Sequence, residues 1–338
     1  NIGFLPTTLL EILIWIIFAA WIVQMIREKS FAQIRKAKIA WMRENKALFI
    51  SICLFLLAAT ISVFTSINSR AALGEWKAFY MEPIIVFFIL ILGVREKKYI
   101  NAMLTGLLLC GLVTGILAIY QHFTGWMVPS AFWENRDTFR VTAWYGFPNG
   151  VGLFLAPLFI LALYFVIDGY TKFKAKQKKI PALSFAIAIL NIITIPFAIF
   201  FAKSTGAIIG VAGGIGLLLL FWKKTRWWAV GLGVAGFIGF LFLPNAHPIK
   251  QELLLQDRSG QIRISIWKET AEFLKDNPLA GAGLASYSTI IKPYHTTVNG
   301  EGIEIFHHPH NIFLTMWVNL GLLGLISFIG IIGSVLYT

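Results

Sequence analysis

Apolar runs long enough to cross a hydrocarbon layer, which takes about 20 residues as a helix, alternate along this chain with short polar connections. Nine such runs stand out, at 4–26, 47–67, 78–94, 100–121, 151–168, 181–202, 206–222, 227–243 and 312–337. They predict an all-α protein, a polytopic transmembrane helix bundle of about nine spans, read as a single integral-membrane domain over residues 1–338. One connection breaks the pattern. Residues 244–311 are too polar to span and are not of low complexity, so they are expected to form a large loop with surface helices, inserted between the last two spans.

Composition agrees: 57% of the residues are hydrophobic and 13% charged, against roughly 25% charged in a soluble domain. A soluble globular enzyme is excluded. The run from Leu5 to Met25 lacks a basic flank and a small-residue cleavage site, so it reads as a span and not a signal peptide. The chain starts at Asn1 and its last apolar run reaches Thr338, so both ends are expected to be cut. Cys53 and Cys110 each sit inside an apolar run, which leaves no disulfide framework and no cysteine-based zinc site.

Net charge is +13, and its distribution decides what it means. Segments 27–46, 95–99, 169–180 and 223–226 hold 18 of the 29 Lys and Arg residues, whereas the short connections between them hold five, Arg70, Lys77, Arg136, Arg140 and Lys203. Basic residues beside spans stay cytoplasmic. Every second connection is therefore cytoplasmic, residue 1 is outside, and 122–150 and 244–311 face the extracytoplasmic side. The charge marks topology and not a nucleic acid partner, and the run Lys172, Lys174, Lys176, Lys178, Lys179 reads the same way in preference to an anionic-lipid site. Gly206, Gly210 and Gly214 share one helix face, which predicts close helix packing. No glycine cluster has the strand context of a nucleotide-binding loop.

Chemistry is expected in the two outer segments. Within 244–311 the pattern predicts an amphipathic helix capped by Asp257 or Ser259 and ended by Asn277-Pro278, with Ile262, Ile266, Trp267, Ala271 and Leu274 on its apolar side and Arg263, Lys268 and Lys275 opposite. Arg258 and Arg263 then lie at a helix start that favours anions, suited either to phospholipid head groups or to a substrate pyrophosphate. Before the last run comes Phe306-His307-His308-Pro309-His310-Asn311. Pro309 spoils the helical spacing that two metal-binding imidazoles need, so His310 is a candidate proton acceptor. Gly321, 11 residues further on, lies about 20° around a helix from His310, with Gly324 about 40° to the other side; this bare face is expected to pack closely and hold the histidine rigid. The outer segments contain no Asp-x-Asp and no clustered carboxylates, so no metal and no cofactor is expected.

His310-Asn311 followed by nine residues and Gly321-Leu322-Leu323-Gly324 resembles the end of the large periplasmic loop in O-antigen ligases and the related polymerases. Arg263 to Trp267, Asn277 to Leu284, and Arg140 to Gly150 are similar to further stretches of that family, so the resemblance covers roughly 136–330. It implies a metal-independent membrane glycosyltransferase of the bacterial inner membrane. Such an enzyme moves a glycan from an undecaprenyl pyrophosphate carrier, a lipid-linked oligosaccharide donor, to a lipid, protein or glycan acceptor. His310 would be the base, Arg263 would face the pyrophosphate, and Arg140, Arg258, Asn149 and Asn311 would bind substrate. The family commonly has Ser-Arg where this chain reads Lys203-Ser204-Thr205-Gly206, so Lys203 is expected to supply that charge. A pyrophosphate leaving group needs positive charge in a dry site, which Arg and Lys provide. The alternatives are a transporter, disfavoured because Glu11, Glu82, Asp168 and Lys203 fall toward span ends, and a non-catalytic lipid-binding envelope protein.

Overall fold

The computed structural model describes residues 8–27, 41–94, 96–129, 131–135, 137–174, 182–298, 301–302 and 304–337. The basic tether expected at 28–40, together with Asn1, Arg95, Arg136, Lys176, Lys178, Lys179 and Thr338, lies outside the described residues.

Each apolar run is helical: α1 (Leu9–Arg27), α2 (Lys46–Phe64), α3 (Ser69–Gly93), α4 (Lys97–Thr124), α5 (Pro148–Lys174), α6 (Ala182–Phe201), α7 (Thr205–Phe221) and α8 (Arg226–Phe242). In the polar segment come α9 (Pro248–Leu253), α10 (Arg258–Asp276) and a small hairpin pairing Thr297–Val298 with Glu301–Gly302, before α11 (Ile312–Tyr337). Among the described residues six helices, α2 to α6 and α11, are long and apolar enough to cross a membrane, while Leu9–Gln24, α7 and α8 are apolar but shorter. Seventeen helical residues rise about 25 Å, a little under the roughly 30 Å hydrocarbon thickness. Their outer surfaces remain apolar: Phe242 is 84% exposed and α8 buries no residue, as expected where lipid is the solvent.

The expected bounds fail most at α3, which starts at Ser69 and not at 78. Asn68 caps it, its side-chain oxygen accepting from the Ala71 N–H at 3.1 Å, so the polar stretch that was expected as a connection continues the helix through a π turn at Trp76–Met81. Arg70 and Lys77 are therefore helical. Glu82 lands in mid-helix, 4% exposed, and not toward a span end. Its Oε1 has no hydrogen-bond partner among the described residues, while Lys77 pairs with Glu11 at 3.0 Å.

The chain forms two compact units, one from residues 1–95 and 243–338, the other from 96–242. In the first, α2 packs along α11 through Ala58, Ala59, Val63 and Leu320, small side chains letting the helices approach. Asp257 is the cap of α10, accepting from the Gly260 N–H at 3.1 Å. The buried stripe of α10 is Ile266, Phe273 and Leu274. Ala271, expected in that stripe, is exposed: it lies about 140° around the helix from Ile266, whereas Phe273 lies about 20° from it.

The last helix is not continuous. At Gly321 the backbone turns to φ 71°, ψ −175°, a region essentially closed to other residues. Its broken ladder is repaired by the loop 277–284, because the Leu322 N–H donates to Leu279 O at 3.0 Å and the Ala282 N–H donates to Val318 O at 2.6 Å. The Trp317 indole N–H also donates to Pro278 O at 2.7 Å. Irregular backbone at such a place persists only where protein satisfies it. A Cβ on Gly281 would meet Val318 O at 2.5 Å, so both glycines serve one backbone-to-backbone seam.

In the second unit α4, α5 and α6 pack together. A Cβ on Gly111 would meet Asn191 Oδ1 at 2.8 Å, and the buried Asn191 amide donates to Leu108 O at 2.8 Å and Ile187 O at 2.9 Å. This polar group joins two helices. The close packing expected of Gly206, Gly210 and Gly214 is found only at Gly214, which meets Ile160; the other two face open space. Their spacing gave a common face, but only the end of that face near α5 is covered.

Candidate functional site

The expected site residues fall into two groups, one in each unit. In the first unit they surround the segment 306–311. α11 starts at Ile312 because Asn311 caps it, its side-chain oxygen accepting from the N–H groups of Phe313 at 3.0 Å and Leu314 at 3.2 Å. That oxygen serves the helix end, which is the role the fold gives Asn311.

His310 stands just outside the helix with φ 52°, a left-handed conformation uncommon for residues other than Gly, Asn and Asp. The helical-wheel alignment with Gly321 and Gly324 therefore fails twice: His310 is not helical, and the helix breaks at Gly321. The loop holds the histidine instead. Buried Pro309 receives the Trp267 indole N–H on its carbonyl at 2.9 Å. The His310 ring meets Phe306 and His308 edge to face, each at 4.6 Å between centroids.

The residue is exposed to solvent, yet these rings shield part of the imidazole. Its pKa is lowered from the ordinary histidine value, first by desolvation, then by His308 and by Arg263. Arg263 thus lies close enough for its charge to be felt. It is half-buried and one turn before Trp267, so it shares the Trp267 side of α10 and is not opposite that side as expected; residues at i and i+4 share a face. Arg258 is exposed at the first position of α10, about 140° around the helix from Arg263. The two arginines do not converge by helix geometry.

Glu269 escaped the sequence reading. Fully buried on α10, its Oε1 accepts from the Thr296 N–H at 2.9 Å and hydroxyl at 2.6 Å, and its Oε2 lies 3.3 Å from His295 Nδ1. It anchors the strand segment to α10, and only its place beside apolar Ile266 and Phe273 hinted at burial. Among the described residues no three His, Cys, Asp or Glu side chains are grouped to hold a metal ion.

In the second unit Arg140, Asn149 and Lys203 do come together. Arg140 donates to Ala202 O at 2.8 Å, Asn149 Oδ1 at 3.0 Å and Lys203 O at 3.1 Å, and lies over the Trp133 ring. The loop bearing it is fixed by buried Gln121, whose Oε1 accepts from the N–H groups of Thr142 at 2.7 Å and Ala143 at 2.9 Å. Arg140 therefore clamps the start of α5 to the end of α6. Lys203 is the exposed cation of the group, at φ 48°.

Residues 188–329 match the family described as O-antigen ligase. This segment is similar to that family. No curated protein and no solved structure matches the chain. The matched part contains Lys203, Arg258, Arg263, His310 and Asn311, along with the glycines of the 281–321 seam; Arg140 and Asn149 precede it. The likeness of this segment to the O-antigen ligase family points to glycan transfer of the ligase or polymerase type as the reading to be tested, in a chain with helices long and apolar enough to cross a membrane.

Within the matched segment Trp267, which the sequence assigns only to an apolar stripe, ties α10 to the loop before α11. Trp267→Phe keeps a half-buried aromatic ring and removes one hydrogen bond, worth about 1 kcal/mol. Transfer is expected to fall in kcat by several-fold with donor and acceptor KM unchanged; equal kcat for both proteins would show that the Pro309 contact does not position the loop.

Proposed function

We propose that the chain transfers a glycan from an undecaprenyl pyrophosphate carrier to an acceptor hydroxyl on the extracytoplasmic face, without a metal. What supports this reading is the partly desolvated His310 imidazole in a loop held by the Trp267–Pro309 hydrogen bond, with Arg263 one turn before Trp267 on α10, all within the segment matched to the O-antigen ligase family. Lowered basicity keeps the ring neutral near pH 7, the form that accepts a proton. The acceptor O–H gives its proton to His310 as its oxygen bonds to the anomeric carbon. The bond from that carbon to the pyrophosphate oxygen breaks, and the leaving group's charge is met by Arg263.

Arg258 is proposed as a further contact for anionic parts of the donor, and in the second unit Lys203, with Arg140 and Asn149 ordering its loop, is proposed as an anion contact in its own right. Asn311 is proposed to act on substrate only through the helix end it caps. Ligase and polymerase chemistry make the same demand on these groups, so the acceptor is a lipid, a protein or a second glycan. One observation favours transport as a second reading: Glu82 is an ionisable group buried in mid-helix, where transporters place theirs. It lies on the helix that carries Lys77 of the Glu11–Lys77 pair and outside the matched residues 188–329.

The orientation rests on the 18 basic residues of the opposite connections. Lys268 is exposed on α10, and a cysteine placed there is expected to react with a membrane-impermeant maleimide in intact spheroplasts. Labelling only after lysis would put 244–311 in the cytoplasm and remove the basis for extracytoplasmic transfer.

A further inference from the structure

A cavity of about 240 Å³ opens in the first unit, walled by Glu75 at the end of the first turns of α3, by Ser286, Tyr287 and Ser288 after the glycine seam, by His307, and by Asn319 of α11. It is large enough for a monosaccharide-sized group and not merely one water. Its polar groups are held in place. Glu75 Oε2 accepts from the Ala285 N–H at 3.0 Å, which fixes the carboxylate. Ser286 forms the floor, its hydroxyl engaged by Ser66 at 3.1 Å and Leu284 O at 3.0 Å. The Tyr287 hydroxyl pairs with Thr270 at 2.7 Å, and burial pushes it up to about 12, so it stays neutral.

The chemistry of the lining selects the ligand. The lining lacks Lys and Arg, which disfavours phosphate, and its single carboxylate is too few for a divalent cation. A fixed acceptor at Glu75, the Asn319 amide in the wall, and two-way hydroxyl and imidazole groups at Ser288 and His307 match a neutral polyol whose neighbouring hydroxyls both donate and accept.

We propose that this cavity is a glycan subsite that takes one neutral sugar ring, Glu75 accepting from its hydroxyls and Asn319 and Ser288 lining it. His307 is three residues from His310, which limits their Cα separation to about 11 Å, so a ring seated here can belong to the chain whose hydroxyl or anomeric carbon reacts at His310. The proposal rests on the glycan-transfer reading and names a binding place for it.

The test uses the full-length protein in proteoliposomes with lipid-linked glycan and acceptor extracted from the source cells. Glu75→Gln keeps an oxygen for the Ala285 N–H, and Asn319→Ala and Ser288→Ala remove single groups. Each is expected to raise KM for one glycan substrate by roughly 3- to 10-fold, the loss of one hydrogen bond, with kcat unchanged. A rise confined to the acceptor assigns the ring to the acceptor, and one confined to the donor assigns it to the donor glycan. Unchanged KM for both substrates in all three correctly folded variants overturns the subsite and leaves transfer standing. If wild-type protein transfers nothing, the glycan-transfer reading fails, and the subsite is judged by equilibrium binding of glycan released from the carrier by mild acid. Binding weakened in Glu75→Gln and Asn319→Ala then supports it, and equal binding overturns it.

Discussion

Replacing the His310 imidazole is expected to slow glycan transfer by roughly 10²- to 10⁴-fold, the usual span for a lost general base, in protein that still folds. Two substitutions separate the base from the backbone. At φ 52° an alanine is strained, whereas asparagine tolerates this conformation; His310→Asn and His310→Ala should therefore be equally inactive while only His310→Ala loses a little stability. The pH profile carries the sign. The active form is neutral, and desolvation with His308 and Arg263 lowers the imidazole pKa, so activity should rise with pH along a limb below the ordinary value near 6.5 and be flat above it. His308→Ala removes one repelling neighbour and should move that limb to higher pH. Arg263→Ala should likewise abolish transfer, and Arg263→Lys should rescue poorly, since an ammonium lacks the two-pronged fit to phosphate. Full-rate transfer by His310→Asn would make the histidine a loop-packing residue.

Gly321→Ala is expected to be the most damaging single methyl in the chain. The added Cβ would stand 2.2 Å from Leu279 O, at φ 71°, ψ −175°. Strain at such a backbone position costs roughly 1–3 kcal/mol alone, and relieving the clash means parting the seam that satisfies Leu322 N–H and Val318 O. Each orphaned group adds a further cost of roughly 1–3 kcal/mol. The melting temperature in detergent should fall steeply, with loss of monodisperse protein. Gly206→Ala is the control: nothing lies within 4 Å of its added Cβ, and alanine favours a helix by about 1 kcal/mol. Equal melting of Gly321→Ala and wild type would contradict the seam.

These two residues show what a sequence reveals about such a protein. The apolar runs, the Asp257 cap and the end of α10 at Asn277 follow from local rules, because hydrophobic length, a capping carboxylate and an Asn-Pro step act on their own neighbours. The seam does not, for Gly321 needs a partner backbone about 40 residues upstream, and spacing alone made it one side of a straight helix. Arg263 shares a face with Trp267 by the local i, i+4 rule; what spacing alone does not show is that Trp267 meets the Pro309 carbonyl. Glu82 was drawn to a span end because the polar residues before it looked like a connection, and only the Asn68 cap turns them into helix. Arg140, Asn149 and Lys203 were marked by family resemblance, but their convergence depends on Gln121, a buried amide that carries no periodic signal.

The central claim is metal-independent transfer from a pyrophosphate-linked donor. Its most direct test is a proteoliposome assay with purified protein, undecaprenyl pyrophosphate-linked glycan and acceptor in excess EDTA, following the glycan and the released carrier together. Equal amounts of transferred glycan and free undecaprenyl pyrophosphate, undiminished by EDTA, are predicted. No transfer, or transfer that needs a specific and saturable divalent cation, would contradict the account.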